Sequence, residues 1–190
     1  MIRPIYVYGQ PVLRQETQDV TPDYEGLEQL IADMKETMYA SDGIGIAAPQ
    51  VGVPIKLIYI DVNDLKESFP ELAGVNMVLI NPEVTVDETS PTATREEGCL
   101  SVPGIHENVT RHTRIHLKWT DENWQEHEKD IDGFLARVVQ HENDHLNKHL
   151  FVDHISPIRK QLIRNKLNNI LKGKTSCDYK VKFPKNTTKR

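Results

Sequence analysis

His141-Glu142-Asn143-Asp144-His145 lies inside a run whose apolar residues recur at helical spacing, and no other stretch constrains the fold as much. Two histidines four residues apart are separated by about 40° around a helix axis and one turn along it, so both rings can reach one metal ion. Around His141, Phe134 and Val138 share its face, while Leu135, Val139 and Leu146 extend the apolar arc past Glu142. The ligand face is therefore also the buried face, which puts this helix at the centre of the molecule with the ion near the core. Glu142 lies about 100° round from His141, close enough to act on a water in the ion's open position rather than on the ion. A solvated polar helix with two unrelated histidines fits these apolar surroundings less well, because unpaired polar groups there would be costly and a metal would satisfy them.

The elements around that helix follow from local patterning. Thr21-Pro22 predicts the start of a first helix, with Leu27, Leu30, Ile31, Met34 and Met38 at three- and four-residue steps and Gly43 as its stop. Lys56–Asp61, Met77–Asn81, Val84–Val86 and Ile115–Trp119 read as strands. The metal-binding helix is expected to start near Asp130 or Asp132. A third helix is expected from Pro157 to Lys172, with Ile158, Leu162, Leu167, Ile170 and Leu171 as its apolar stripe. Helix, several strands and then two helices is not a βαβ alternation. It predicts an α+β fold with largely antiparallel β-sheets around a central metal-binding α-helix, plus a C-terminal helix. The 190 residues fit a single catalytic domain over 1–173 followed by a basic tail over 174–190, whose last part, Lys180 to Arg190, is expected to lie loosely on the surface.

Composition removes several classes. With 38% apolar and 27% charged residues the chain can bury a sizeable core and is not disordered by composition. A net charge of -5 gives no whole-chain basic field for DNA. The apolar runs are too short for a membrane span, the N-terminus lacks the apolar stretch of a secretory signal, and two cysteines fit a reducing cytoplasm. The charge is uneven, however: Ser156–Arg190 holds 11 Lys and Arg against the single acid Asp178, leaving an acidic body with a basic C-terminal end.

A catalytic metal site needs a third protein ligand and an open position. No glutamate follows Glu142. His149 lies about 12 Å from His141 along the axis, too far to share one ion with His141 and His145. Asp153 is not excluded by spacing, although a surface acid just past a helix is the commoner case. Cys99 remains, in Glu97-Gly98-Cys99-Leu100-Ser101-Val102-Pro103-Gly104, where the flanking glycine and the Pro-Gly turn hold the backbone in a special shape. On its chemistry alone Cys99 could equally be a small buried hydrophobe.

Three co-ordered segments then resemble the peptide deformylase family: Gly43-Ile44-Gly45-Ile46-Ala47-Ala48-Pro49-Gln50, Glu97-Gly98-Cys99-Leu100-Ser101 and Gln140-His141-Glu142-Asn143-Asp144-His145. The likeness runs from about Pro11 to Lys172. It implies removal of the formyl group from the N-terminal formylmethionine of new bacterial or organellar polypeptides. It also implies one divalent ion held by Cys99, His141 and His145, with Fe(II) expected and zinc, nickel or cobalt able to occupy the site. Glu142 would be general base and then general acid, and the Gln50 amide and Leu100 N–H would hold the developing oxyanion. Ile44, Gly45 and Gly98 would contact the substrate peptide, which adds as a strand, with Ile44 lining the methionine pocket. A metallopeptidase is the alternative enzyme, and a ribosome- or peptide-binding protein without turnover the alternative class. The basic third helix reads either as a solvated face or as a contact to ribosomal RNA.

Two positions depart from the family pattern: Lys148 stands where a glycine is common, and His106 aligns with an arginine near the substrate. Arg111 is expected to pair with Glu97. His112, His116, His127 and His154 carry no motif and are expected to be solvated, and Cys177 to be incidental.

Overall fold

The computed structural model describes residues 1–185. In chain order the elements are β1 (Ile5–Tyr6), α1 (Leu27–Ala40), β2 (Gly45–Ala47), β3 (Leu57–Asp61), β4 (Asn76–Val86), β5 (Thr92–Gly98), β6 (His106–His112), β7 (Arg114–Thr120), β8 (Glu126–Asp132), α2 (Gly133–Leu146), α3 (Pro157–Leu171) and β9 (Val181–Lys182). A five-stranded antiparallel sheet runs β2-β3-β4-β7-β8, β5 and β6 form a separate antiparallel hairpin, and β1 and β9 pair in parallel. The architecture is the α+β arrangement expected, with α2 against the main sheet.

Alternation along β3 shows how the layers form. Leu57 and Tyr59 face α1, joining Met34, Met38 and Ile46 in one core cluster. Ile58 and Ile60 face the other side, where they join Leu79, Ile115, Leu117, Val138 and Val139 against α2. A third cluster gathers Val7, Val102, Ile105, Phe151, Ile163 and Ile170, tying both chain ends to the loop after β5.

The two runs expected around residues 77–86 are one strand, broken by a register shift between Ile80 and Glu83. Its first half pairs with β3 and its second with β7. The first helix begins at Leu27 rather than Thr21; residues before it form turns, and Gly26 stands left-handed at its start. Gly43 does close it, donating to Met38 O at 3.0 Å after Asp42 takes a positive φ of 57°. The metal-binding helix begins directly after Asp132. On α3, Ser156 caps Arg159 N–H as a serine before a proline should. Its buried stripe is Ile163 and Ile170 with Leu167 alongside, whereas Ile158 and Leu162 are exposed, 76% and 65%. Leu167 and Ile170 lie on the expected face; the departure is at the start of the helix, where Arg159, half exposed, pairs with buried Glu107 at 2.7 and 2.9 Å and Ile163 rather than Leu162 turns inward.

The stretch after Gly173 is not loose over its described part. Val181 and Lys182 pair with Ile5 and Tyr6, and Gln10 Nε2 donates to the carbonyls of Lys182 and Phe183 at 3.0 and 2.7 Å. Residues 186–190 of the expected tail lie outside the described residues. Among the described residues no helix is long and apolar enough to cross a membrane.

Candidate active site

Three segments converge on the inner face of α2. The turn after β2 supplies Gln50, the turn after β5 supplies Cys99 and Leu100, and α2 supplies His141, Glu142 and His145. They border a cavity of about 390 Å³ that Ile44, Phe134, Val138, Ile105 and Tyr179 also line.

Cys99, His141 and His145 offer donor atoms within 4.8 Å of one another. Ligands about 2.0–2.3 Å from a common ion sit at such separations, and one thiolate with two imidazoles suits a divalent transition metal. Cys99 Sγ lies 3.3 Å from His145 Nε2. His141 Nδ1 donates to Glu97 Oε2 at 2.9 Å, since a carboxylate can only accept, and this leaves Nε2 free for an ion. The residues present therefore fit a bound metal. Asp153 is not among them; it pairs with Arg14 and accepts from Leu150 N–H.

Glu97 is the hub behind that histidine. Arg111 grips it with two bonds of 2.7 and 3.0 Å, and Arg137 adds another. Burial opposes its charge, but the bonds from His141 and Arg111 hold its carboxyl well below the usual range. The expected Arg111–Glu97 pair is present. Arg111 also reaches Asp144 at 2.9 Å, and Asp144 accepts from His154 at 2.8 Å. A chain of charged groups thus links exposed His154 to His141.

Glu142 is buried, and Oε2 has no hydrogen-bond partner among the described residues. Burial pushes its carboxyl up to about 7, while it pushes the His145 imidazole down to about 3. Burial disfavours the charged His141 ring, but that ring's hydrogen bonds to Cys99 and Glu97 outweigh this and raise its pKa. Gly45 lies directly over Glu142, and a Cβ there would meet Oε1 at 2.5 Å. Its glycine identity thus serves the carboxyl at least as directly as it could serve a peptide.

Gln50 is oriented by its own turn. Its Oε1 accepts from Ala47 N–H at 2.8 Å, which points Nε2 toward Cys99 Sγ at 3.5 Å and Ser101 Oγ at 3.2 Å. The Leu100 N–H has no acceptor among the described residues. Gly98 faces His106 across the hairpin, and a Cβ on it would come within 2.6 Å of that ring.

Sequence reasoning missed Arg137, Asp144, His154 and Tyr179. Arg137 stands four residues before His141, a charge on the ligand face, and that was a readable signal. Tyr179 had none; it reaches the site only through the pairing of β9 with β1, its hydroxyl donating to Leu100 O at 2.8 Å. The motif-free histidines are partly exposed, as expected, and each also finds a hydrogen-bond partner. His116 bonds Asp130 and Glu128, His127 bonds Asp121, and His112 meets Ser90 O. Lys148 takes the left-handed conformation, φ 66°, that a glycine would adopt without strain, and the helix end is otherwise regular, with His149 N–H donating to Asp144 O.

A family model described as polypeptide deformylase matches residues 2–161. A peptide deformylase of Christiangramia forsetii is 43% identical, covering 97% of both chains, and one of Salinibacter ruber is 44% identical over 94% of this chain and 93% of that one. The crystal structure of a peptide deformylase from Legionella pneumophila aligns with a TM-score of 0.78 at 36% identity, covering 93% of this chain and all of the other. By fold, by motif and by these relatives, this chain is an enzyme of the polypeptide deformylase family.

Proposed function

We propose that the chain hydrolyses the formyl group from the N-terminal formylmethionine of newly made polypeptides in the cytoplasm, with Glu142 as general base and then general acid. One observation carries the reading: a buried carboxyl with an unpartnered oxygen stands beside the Cys99, His141 and His145 donors at a cavity. Those three residues would hold one divalent ion, Fe(II) by expectation with zinc, nickel or cobalt also able to occupy the site, and the ion when bound supplies the Lewis acidity that brings water toward a pKa of about 7.

The chain's own residues account for the rest. Glu142, poised near neutrality, accepts a proton from the attacking water and passes it to the leaving amine nitrogen. The Gln50 Nε2 and Leu100 N–H groups donate to the formyl oxygen as its charge grows, and losing one such donor typically costs about 2.7–4 kcal/mol of barrier. β2 is an edge strand of the main sheet, and among the described residues β5 pairs with β6 alone, so Ile44–Gly45 and Gly98 offer backbone to an extended peptide between them. Ile44, Phe134 and Val138 form the apolar wall suited to a methionine side chain. The basic face of α3 would bring the enzyme to ribosomal RNA.

The test is amine release from formyl-Met-Ala-Ser by anaerobically prepared protein loaded with Fe(II) or Ni(II). Wild-type protein should turn over, and Glu142→Ala should lose at least about 100-fold in kcat. Turnover of the variant within tenfold of wild type would remove Glu142 from its role. Cleavage of the Met-Ala bond with the formyl group retained would instead make the enzyme a metallopeptidase.

A further inference from the structure

The turn after β5 is anchored from outside by both ends of the chain. Three successive carbonyls of it are taken: Cys99 O by Val102 N–H at 2.9 Å, Leu100 O by the Tyr179 hydroxyl at 2.8 Å, and Ser101 O by Tyr8 N–H at 2.7 Å. Tyr8 follows β1 and Tyr179 precedes β9, so the parallel pair presents two donors to one loop. That pair is itself well fixed. Ile5 N–H donates to Lys180 O at 2.8 Å, and Val181 and Phe183 pack into the third core cluster beside Cys99. The Tyr179 ring also lines the cavity next to Gly98, Leu100 and His106.

Leu100 lies in an irregular turn and has no ladder bonds to set its orientation. A donor to a developing oxyanion works only if it is held within about 0.5 Å and 10–20° of the productive direction. On the C-terminal side of Leu100 the Tyr179 bond holds its own carbonyl, with the Tyr8 bond to Ser101 O one residue further on. Gln50 Nε2, the other donor, leans on Ser101 Oγ of the same turn at 3.2 Å. Loosening the turn would therefore disturb both donors together.

We propose that Tyr179 is a positioning residue for the deformylation reaction. Its hydroxyl pins the Leu100 carbonyl so that the adjacent N–H stays aimed at the formyl oxygen, and its ring closes the cavity wall beside the incoming peptide. The proposal rests on the function assigned above. It makes the segment after α3 part of the active site rather than an appendage.

Tyr179→Phe removes the hydroxyl and keeps the ring. With formyl-Met-Ala-Ser and Ni(II)-loaded protein, kcat should fall by about 5- to 30-fold, between the loss of one neutral hydrogen bond and the loss of an oxyanion donor. KM should stay within about twofold, and elemental analysis should still find one metal per chain, a combination that mere destabilisation would not produce. Tyr179→Ala should show the same loss in kcat and, in addition, a several-fold rise in KM. A Tyr179→Phe kcat within twofold of wild type overturns the proposal, as does a loss matched in full by lost metal; an unchanged KM in Tyr179→Ala overturns the role of the ring. Wild-type protein that releases no amine from the formyl peptide would instead sink the assigned function.

Discussion

Burial raises the Glu142 carboxyl to about 7, and the same burial makes its ionised form costly to the folded chain. In the unfolded chain a glutamate ionises near about 4.3. Between those values the folded state keeps a proton that the unfolded state has released, so stability declines as pH rises through that window and is flat above it. Metal-stripped Glu142→Gln should therefore be more stable than metal-stripped wild type at pH 8, by up to about 3 kcal/mol, with the gap closing below about pH 5. Urea unfolding at the two pH values checks this, and a gap independent of pH would contradict it. Glu97 behaves oppositely: its lowered carboxyl contributes stability that is complete above its unfolded pKa and is lost as pH falls. His141 and Glu142 stood out because a helical metal site needs those residue types at that spacing, whereas Cys99 as a third ligand followed from the family resemblance, its chemistry alone leaving a buried hydrophobe equally open. Arg137 left one readable signal, a charge on the ligand face, whereas the pairing of Asp144 with Arg111 across from another element leaves no local trace.

Elements whose pattern agreed with their burial were legible, and those whose pattern was inverted were not. α2 buries apolar residues at helical spacing, and β3 is a continuous apolar run buried on both faces. β6 buries Glu107, Val109 and Arg111, so two of its three inward positions are charged and the strand reads as polar loop. β8 buries only Ile131 among Glu126–Asp132 and depends on its ladder with β7. On α1 the proline signal was real but local, producing a turn that precedes the helix. The approach of β2 to α2 is a tight constraint at this scale. Gly45→Ala should push Glu142 aside and lower kcat by about 100-fold, comparable to losing a general base, while metal content stays at that of wild type. Activity within fivefold of wild type would show that the carboxyl can move without penalty.

Charge is arranged over the whole molecule, with the acidic body and the basic end already evident in the sequence. Arg164 and Lys166 are exposed on α3 near the uncovered Leu162. If this face meets ribosomal RNA, co-sedimentation with ribosomes should weaken by more than about tenfold between 50 and 200 mM salt, and Arg164→Glu with Lys166→Glu should abolish it. Binding indifferent to salt would exclude a phosphate-directed contact. The meeting of the chain ends was the least legible feature. Two-residue strands carry no usable periodicity, and pairing across the full length of a chain leaves no local trace.

That pairing also sets an order of assembly. Ile5 waits for Val181, so the first strand stays single while almost every other element is made and packed. The turn that carries Leu100 would thus gain its Tyr8 and Tyr179 anchors only after β9 has been made.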